Sequence, residues 1–203
     1  MNNHARLAPL IALLCAFAAA GAARGDAGTY RVDPDRTSAR FAVHYLGLAR
    51  AEGRFGRTAG TIVLDEQQRV DSIELVIDTR SVDMGWDLRD AFVRSEAMFD
   101  SERFPQLHFR STRASYDGAR LVGIDGELTL RGVTRPVRLE VERVECAPRS
   151  GDGQEACAAA ATGRLSRRAF GMDFAYPLIG EDVELDFALT AVRVRAAGEA
   201  KIP

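Results

Sequence analysis

The sequence is poor in the residues and motifs that support common chemistries. It contains three histidines, three cysteines and one tryptophan, and Lys201 is its only lysine. No C-x-x-C, H-E-x-x-H or G-x-S-x-G motif occurs, and there is no glycine-rich phosphate loop. The sequence therefore offers no recognisable motif for metal-dependent hydrolysis, nucleophilic catalysis or nucleotide binding. We predict no catalytic residues, no metal site and no cofactor.

The charge balance of the chain bears on whether its main partner is strongly anionic. The 27 basic residues are offset by 29 acidic residues, which gives a formal net charge of −2. The arginines are scattered among the acids and form no basic block. This balance argues against nucleic acid or an anionic membrane surface as the main partner.

The apolar run near the N-terminus is too short to span a bilayer. Leu7 to Ala20 is almost wholly apolar but has only 14 residues, whereas a membrane-spanning helix needs about 20. Ala20-Gly21-Ala22 resembles a cleavage site for secretion. We predict a secretory signal peptide over residues 1–23, no stable membrane span, and a single periplasmic domain over residues 24–203.

Two cysteines, Cys146 and Cys157, remain after this cleavage. Two cysteines in an exported chain predict one disulfide, which here would close the turn CAPRSGDGQEAC. A zinc site built on the same pair lacks further ligands, because His44 and His108 are distant in sequence and adjoin no cysteine.

Alternation of apolar and polar residues from Thr29 onward predicts about eight antiparallel strands, each with one apolar face. The clearest segments are TYRVD, SARFAVHYL, GTIVLD, SIELVID, QLHFRST, GELTLRG and PVRLEVERV. GTIVLD and SIELVID form a predicted hairpin. A last long strand begins near Val183. Its apolar phase changes along its length, which predicts a bulge near Thr190 or Ala191.

Strands of this kind either stack as two sheets or close into a barrel, and we favour the barrel. Several of the strands are long, and glycines occur where long strands can bend. These glycines are Gly53, Gly56, Gly60, Gly123 and Gly126.

The stretch WDLRDAFVRSEAMFD interrupts the β pattern. Asp87 is a candidate N-cap for a short helix over Asp87 to Glu96. Apolar residues then recur at helical spacing, which predicts one buried face. This face consists of Leu88, Ala91, Phe92 and Phe99.

Several motifs, in order along the chain, resemble the YceI-like family of exported bacterial proteins associated with polyisoprenoid binding. They are YRVDPDRTSARFAVHYLG, IDTRSVD, RDAFVRSEAMFD, FPQLHFRST, GELTLRGVT and RRAFGM. Two departures stand out. Phe92 and Val93 replace the family's histidine and leucine in its R-D-x-H-L-R-S pattern, and one residue is inserted after His44 in the H-L-G motif. The stretch from Glu145 to Ala161 looks like an elaboration.

The resemblance implies a lipocalin-like barrel with an elongated apolar pore for an isoprenoid of polyprenyl or quinone type, closed or flanked at one end by the helix. The phenylalanines spread through the chain would line this pore, and His44, Arg89 and Arg168 are candidates for contact with a polar head group. The predicted ligand-binding residues are Phe41, His44, Phe55, Trp86, Arg89, Phe92, Phe99, Phe104, Phe109, Arg168, Phe170 and Phe187.

The residue pattern and the resemblance together favour a non-enzymatic carrier, with a bound isoprenoid in place of a cofactor. Two alternatives remain open. One is an enzyme or redox accessory that acts on an isoprenoid quinone through His44 and the Asp87–Asp90 cluster. The other is a structural or protein-interaction barrel without a ligand. A homodimer is also left open as the quaternary state.

Overall fold

The computed structural model describes residues 27–151 and 153–194. The predicted signal peptide lies outside these residues. Within them the chain forms strand segments, one α-helix and short 3-10 turns at Pro34–Arg36, Thr79–Ser81 and Arg167–Phe170. The strands are β1 Gly28–Val32, β2 Ser38–Tyr45, β3 Ala49–Phe55, β4 Thr58–Leu64, β5 Val70–Asp78, β6 Val82–Asp83, β7 Gln106–Asp117, β8 Arg120–Leu130, β9 Val133–Pro148, β10 Glu155–Ser166 and β11 Ile179–Arg193, and the helix is α1 Asp87–Arg94.

Antiparallel pairing closes the sheet into a ring. β11 pairs with β10 on one side and with both β1 and β2 on the other. β1 and β2 are successive parts of one long strand, and the same holds for β3 with β4 and for β5 with β6. The β1–β2 strand pairs along its length with the β3–β4 strand, which in turn pairs with the β5–β6 strand. The segments therefore make eight strands around one barrel, which confirms the predicted fold.

The two ends of the barrel differ. At the end that we call the helix end lie α1, the β2–β3 and β8–β9 turns, and residues 167–178 between β10 and β11. At the opposite end, the disulfide end, lie the β4–β5, β7–β8 and β9–β10 turns. Cys146 of β9 and Cys157 of β10 are directly paired across these strands and bonded to each other.

Side chains alternate between the lumen and the outer surface. On β7, Leu107 and Phe109 are buried, whereas His108 and Arg110 are exposed. The same period of two runs through most of the other strands, because a closed antiparallel sheet points successive side chains to opposite faces. Register shifts interrupt it locally, as between Ser111 and Arg113 of β7. The core therefore lies inside the ring, with Leu75, Ile124 and Leu139 among its buried members.

The predicted strands and the predicted hairpin are present, but two further strands have no clear signal in the sequence. β3 alternates small residues with charged ones, so its inward face carries Ala51 and Gly53 in place of large apolar groups. The alanine run of β10 falls in the stretch that resembles an elaboration, although it forms part of the barrel wall. In both strands most inward residues are too small to give a hydrophobic signal, and each strand has a single large inward residue, Phe55 or Leu165.

The predicted bulge near Thr190 was wrong. β11 pairs with β10 in unbroken register from Ala156↔Val192 to Ser166↔Asp182. Ala191 continues the inward phase and is buried, while Val192 lies on the other face. The apparent change of phase arose because alanine is too small to count as an apolar position in the sequence pattern.

The start and the buried face of the helix also differ from the prediction. Trp86 is the N-cap, and it makes no side-chain capping bond; Asp87 is the first helical residue. Leu88 is exposed, whereas Asp90 and Val93 are buried. Asp90 is buried because its carboxylate accepts a hydrogen bond of 2.7 Å from the Met84 backbone N–H, which ties the helix to the end of β6.

Gly60 is required by the close approach of β4 to β5. A Cβ at this position would lie 2.3 Å from the Glu74 carbonyl oxygen, and backbone cannot move aside easily. We expect Gly60→Ala to lower the free energy of unfolding by roughly 1–3 kcal/mol, as overpacking does. Urea denaturation measures the effect. Gly56→Ala is the control, because its Cβ would meet nothing closer than 3.7 Å. Equal stability of the two variants would contradict this account.

Candidate functional site

A large chamber occupies the disulfide end of the lumen. Its volume is about 500 Å³, within the roughly 300–1,000 Å³ range typical of ligand pockets. Most of the residues that line it are apolar, and charged residues occur among those nearest the mouth, such as Glu142 and Arg143. Its apolar lining comprises Ile62, Leu64, Val70, Ile73, Leu75, Phe109, Leu121, Ile124, Leu139, Val141, Ala159, Ala161, Phe187, Leu189 and Ala191.

A second, smaller chamber of about 90 Å³ lies at the helix end. Three rings line it in mutual contact: the centroids of Phe41 and Phe55 are 5.4 Å apart, and Phe99 lies 6.0 Å from Phe41 and 5.5 Å from Phe55. No residue lines both chambers. The two chambers are therefore successive levels of one lumen, separated by side chains.

The helix end is covered by a fixed lid. Phe92 of α1 lines the smaller chamber and contacts the Phe174 ring at a centroid distance of 4.9 Å. After the helix, the chain is held by Arg131 of the β8–β9 turn, whose guanidinium donates to the Glu96 carbonyl at 2.9 Å and to the Met98 carbonyl. These contacts attach both the helix and the segment after it to the barrel rim.

Seven of the twelve residues predicted to bind ligand line one or the other of the two chambers. Two of them, Phe109 and Phe187, line the larger chamber. The smaller chamber is lined by Phe41, Phe55, Arg89, Phe92 and Phe99. Their contact with a ligand remains a prediction, but their position in the lumen agrees with it.

The other five predicted residues line neither chamber. His44 lies on the outward phase of β2, opposite Arg50. Trp86 is 58% exposed at the start of α1, and Phe170 is packed into the core. The Phe104 ring lies against Gly132. Arg168 points to the outer surface, where Asp173 accepts a 2.9 Å hydrogen bond from its guanidinium and raises the pKa of Arg168.

Sequence reasoning missed Arg167, the neighbour of Arg168. Its side chain is buried and lines the smaller chamber, where burial lowers the pKa of the guanidinium. The RRAF motif did signal an arginine at this position. It did not show which of the two adjacent arginines faces inward. Both lie in a short 3-10 turn, where the alternation of a strand no longer indicates the direction of a side chain.

The rim of the larger chamber is fixed by covalent and polar contacts. The predicted Cys146–Cys157 disulfide is present, with the two Cα atoms 4.0 Å apart. Beside it, the Tyr30 hydroxyl donates a 2.9 Å hydrogen bond to the Glu155 carboxylate, which also lies 3.6 Å from Arg193. Among the described residues, Cys146, Glu155 and Cys157 are the one group close enough to share a metal ion. Both sulfurs are bonded to each other, so this group cannot act as a metal site in the oxidised protein.

A further concavity runs along the barrel wall, and it reaches Phe41, Met84 and Leu185, which also line the smaller chamber. It is a groove of about 1060 Å³ across β9, β10, β11, β2 and β3, and charged residues of both signs line it. Arg50 of this groove pairs with Glu52 and, at 3.1 Å, with Glu184, and Arg138 pairs with Asp125 at 3.1 Å. Such a surface is suited to water and not to a hydrocarbon, so we place the candidate site in the lumen.

Comparison with known proteins agrees with this geometry. A model of the YceI-like domain matches residues 30–191. A UPF0312 protein of Vibrio campbellii is 30% identical over 168 residues, which cover 81% of this chain and 86% of the relative. Within the described part of the chain, no helix has the length and apolar character needed to cross a membrane.

Solved structures share the fold at low sequence identity. BcnA of Burkholderia cenocepacia matches with a TM-score of 0.65 at 20% identity, covering 78% of this chain and 98% of BcnA. A polyisoprenoid binding domain from Saccharophagus degradans, implicated in plant cell wall breakdown, matches with a TM-score of 0.60 at 18% identity and covers 81% and 98% of the two chains. At this level of identity the matches show the fold alone.

The contact between Tyr30 and Glu155 gives the rim a measurable pH dependence. Burial, followed by this hydrogen bond, raises the pKa of Tyr30 to about 12. A raised pKa means that the contact stabilises the fold fully below the ordinary value of about 10 and is lost as the pH rises toward about 12. We expect phenolate absorbance to include a late phase near pH 12 that belongs to Tyr30, and Tyr30→Phe to abolish that phase. Tyr176→Phe, at an exposed position, should leave it in place. A late phase that survives Tyr30→Phe would refute the assignment.

Proposed function

The chain belongs to the YceI-like family, and on that premise we propose that it binds a long-chain apolar lipid, such as an isoprenoid of polyprenyl or quinone type, inside the barrel. The observation that carries the proposal is the chamber of about 500 Å³, whose inward lining is almost wholly hydrocarbon. The description of the Saccharophagus degradans domain as polyisoprenoid binding supports the same class of ligand.

The energetics of burial favour a long chain over a short one. A buried CH₂ contributes about 0.8 kcal/mol, so each five-carbon isoprene unit brings roughly 3–4 kcal/mol gross. Association and ordering cost about 4–15 kcal/mol. Several buried units therefore outweigh the cost of binding, whereas a single unit does not. The tail of the ligand sets the affinity in this proposal.

We propose that the ligand enters at the disulfide end. The helix end is covered by α1 and by the segment that Arg131 holds through the Glu96 and Met98 carbonyls. The larger chamber lies at the opposite end, where short hairpin turns and the disulfide surround the mouth. The helix then acts as a closed floor, and the mouth needs no lid movement.

We place this function in the periplasm, where the protein would act as a carrier or scavenger after export. The Cys146–Cys157 disulfide supports this location, because such bonds persist in oxidising compartments. The apolar run before residue 23 supports export.

Lipid analysis of the purified protein tests the proposal directly. Protein expressed with its N-terminal segment and purified without detergent is extracted, and the extract is examined by mass spectrometry. We expect a long-chain apolar molecule in stoichiometric amount. Delipidated protein should also bind added polyprenyl lipid. Protein that carries no lipid and binds none of those added would refute the proposal.

A matched pair of substitutions locates the lipid in the larger chamber. Ala159 and Ala158 are neighbours on β10, but Ala159 lines the chamber and Ala158 is exposed on the outside. We expect Ala159→Phe to weaken lipid binding tenfold or more, because the ring occupies the volume of about one isoprene unit worth roughly 3–4 kcal/mol. Ala158→Phe should bind as the wild type does. Titration with a fluorescent polyprenyl analogue measures both, and equal losses would place the ligand elsewhere.

A further inference from the structure

The smaller chamber has an unusual polar lining. Its polar side chains are Tyr45, Arg89 and Arg167, and every other residue that lines it is apolar. No carboxylate is among them. Two of the three groups can only donate hydrogen bonds, and the third is a phenol. The chamber therefore presents donors and positive charge to whatever enters it.

Arg167 is the deepest of these groups. Only 2% of the residue is exposed. Its Nε donates to the Gly180 carbonyl at 2.8 Å, one terminal nitrogen donates to the Ile179 carbonyl at 2.8 Å, and the other donates to the Met172 carbonyl. These bonds use three of the five N–H groups of a guanidinium.

The charge of Arg167 is not neutralised by a neighbouring acid. Among residues 27–151 and 153–194, no carboxylate lies within ion-pair distance of it. The nearby acids Asp173 and Glu181 are engaged with Arg168 on the outer surface, at 2.9 and 3.8 Å. A buried cation without a counter-ion is costly, and a bound anion would remove much of that cost.

The other two polar groups have donors to spare. The Tyr45 hydroxyl forms no hydrogen bond within the described part of the chain, although it is close enough to Arg167 to interact with it electrostatically. Arg89 lies at the exposed edge of the chamber, with its guanidinium 5.9 Å from the Trp86 ring centroid. It pairs with no acid among the described residues.

We propose that the smaller chamber binds the oxygen-bearing, carboxylate-sized end of an apolar lipid through Tyr45, Arg89 and Arg167. This inference rests on the lipid-binding function proposed above, and it deepens that function by naming the chemistry of the head. The chamber volume of about 90 Å³ is smaller than the roughly 150 Å³ of an engineered apolar cavity that holds benzene. The chamber therefore suits a compact group such as a carboxylate better than a ring.

The position of the chamber suits a ligand that extends along the barrel axis. Leu107 and Phe109 are two residues apart on the inward face of β7, and the first lines the smaller chamber while the second lines the larger one. Leu185 and Phe187 have the same relation on β11. A head in the smaller chamber is thus in line with a tail in the larger one, once the intervening side chains rotate.

Three matched probes distinguish the head-group chemistry. Farnesoic acid, farnesol and farnesylamine share one isoprenoid tail and differ at the polar end. At neutral pH the first is an anion, the second is neutral and the third is a cation. We expect calorimetric titration of the delipidated full-length protein to give the tightest binding for the acid, about tenfold weaker binding for the alcohol and the weakest binding for the amine.

Variants then connect the preference to the chamber. Tyr45→Phe removes one hydroxyl without changing shape, and Arg89→Gln removes a charge at an exposed edge, so both should fold. We expect each to weaken binding of the acid by about tenfold and to change binding of the alcohol by less than threefold. Tyr176→Phe is the control, because Tyr176 is exposed and lines neither chamber. It should leave the order of the three probes unchanged.

The outcomes separate this inference from the proposed function. If the acid and the alcohol bind equally well in the wild type and in both variants, the head-group assignment is wrong while lipid binding stands. If none of the three probes binds, and longer polyprenyl lipids also fail, the proposed function itself is overturned. A preference for the amine would likewise refute the assignment.

Discussion

Closure of the sheet is the constraint on which the rest of the structure depends. Each of the eight strands has hydrogen-bonded neighbours on both sides, so the described part of the sheet has no long unpaired edge for aggregation, and only its short β6 segment pairs on one side. Closure also commits every second side chain to the lumen. The sizes of these side chains then decide whether the interior is filled. β10 contributes Ala159, Ala161 and Gly163 to the inside, and the larger chamber lies beside its alanines.

The two ends of the lumen have different chemistry because different residue types reach them. The helix end receives Phe41, Phe55 and Phe99, whose contacting rings leave only a small space, together with the donors around Arg167. The disulfide end receives aliphatic and small residues, which leave a wider space. One end therefore suits a compact polar group and the other a hydrocarbon chain. In the function that we propose, this polarity within a single lumen would give an elongated lipid one preferred direction.

The sequence was sufficient to predict the barrel, the helix and the disulfide, because strong alternation and cysteine pairing are local signals. It could not predict β3 or β10, whose inward positions are mostly alanine and glycine and carry little hydrophobic contrast apart from Phe55 and Leu165. The residues that could contact a polar head group were even harder to predict from the sequence. Arg167 and Arg168 are adjacent, and only the path of the turn that contains them decides that the first faces the lumen and the second faces Asp173. Chain direction in such turns depends on long-range contacts.

The ring is completed by strands from opposite ends of the chain. Tyr30, Arg31 and Val32 of β1 pair with Arg193, Val192 and Ala191 of β11. A chain that is synthesised from its N-terminus therefore holds its first strand unpaired on one side until the last strand emerges. Pairings this distant in sequence are slow to form. The unfinished sheet consequently presents two open edges and an uncovered apolar interior, and in this interval it is most exposed to aggregation.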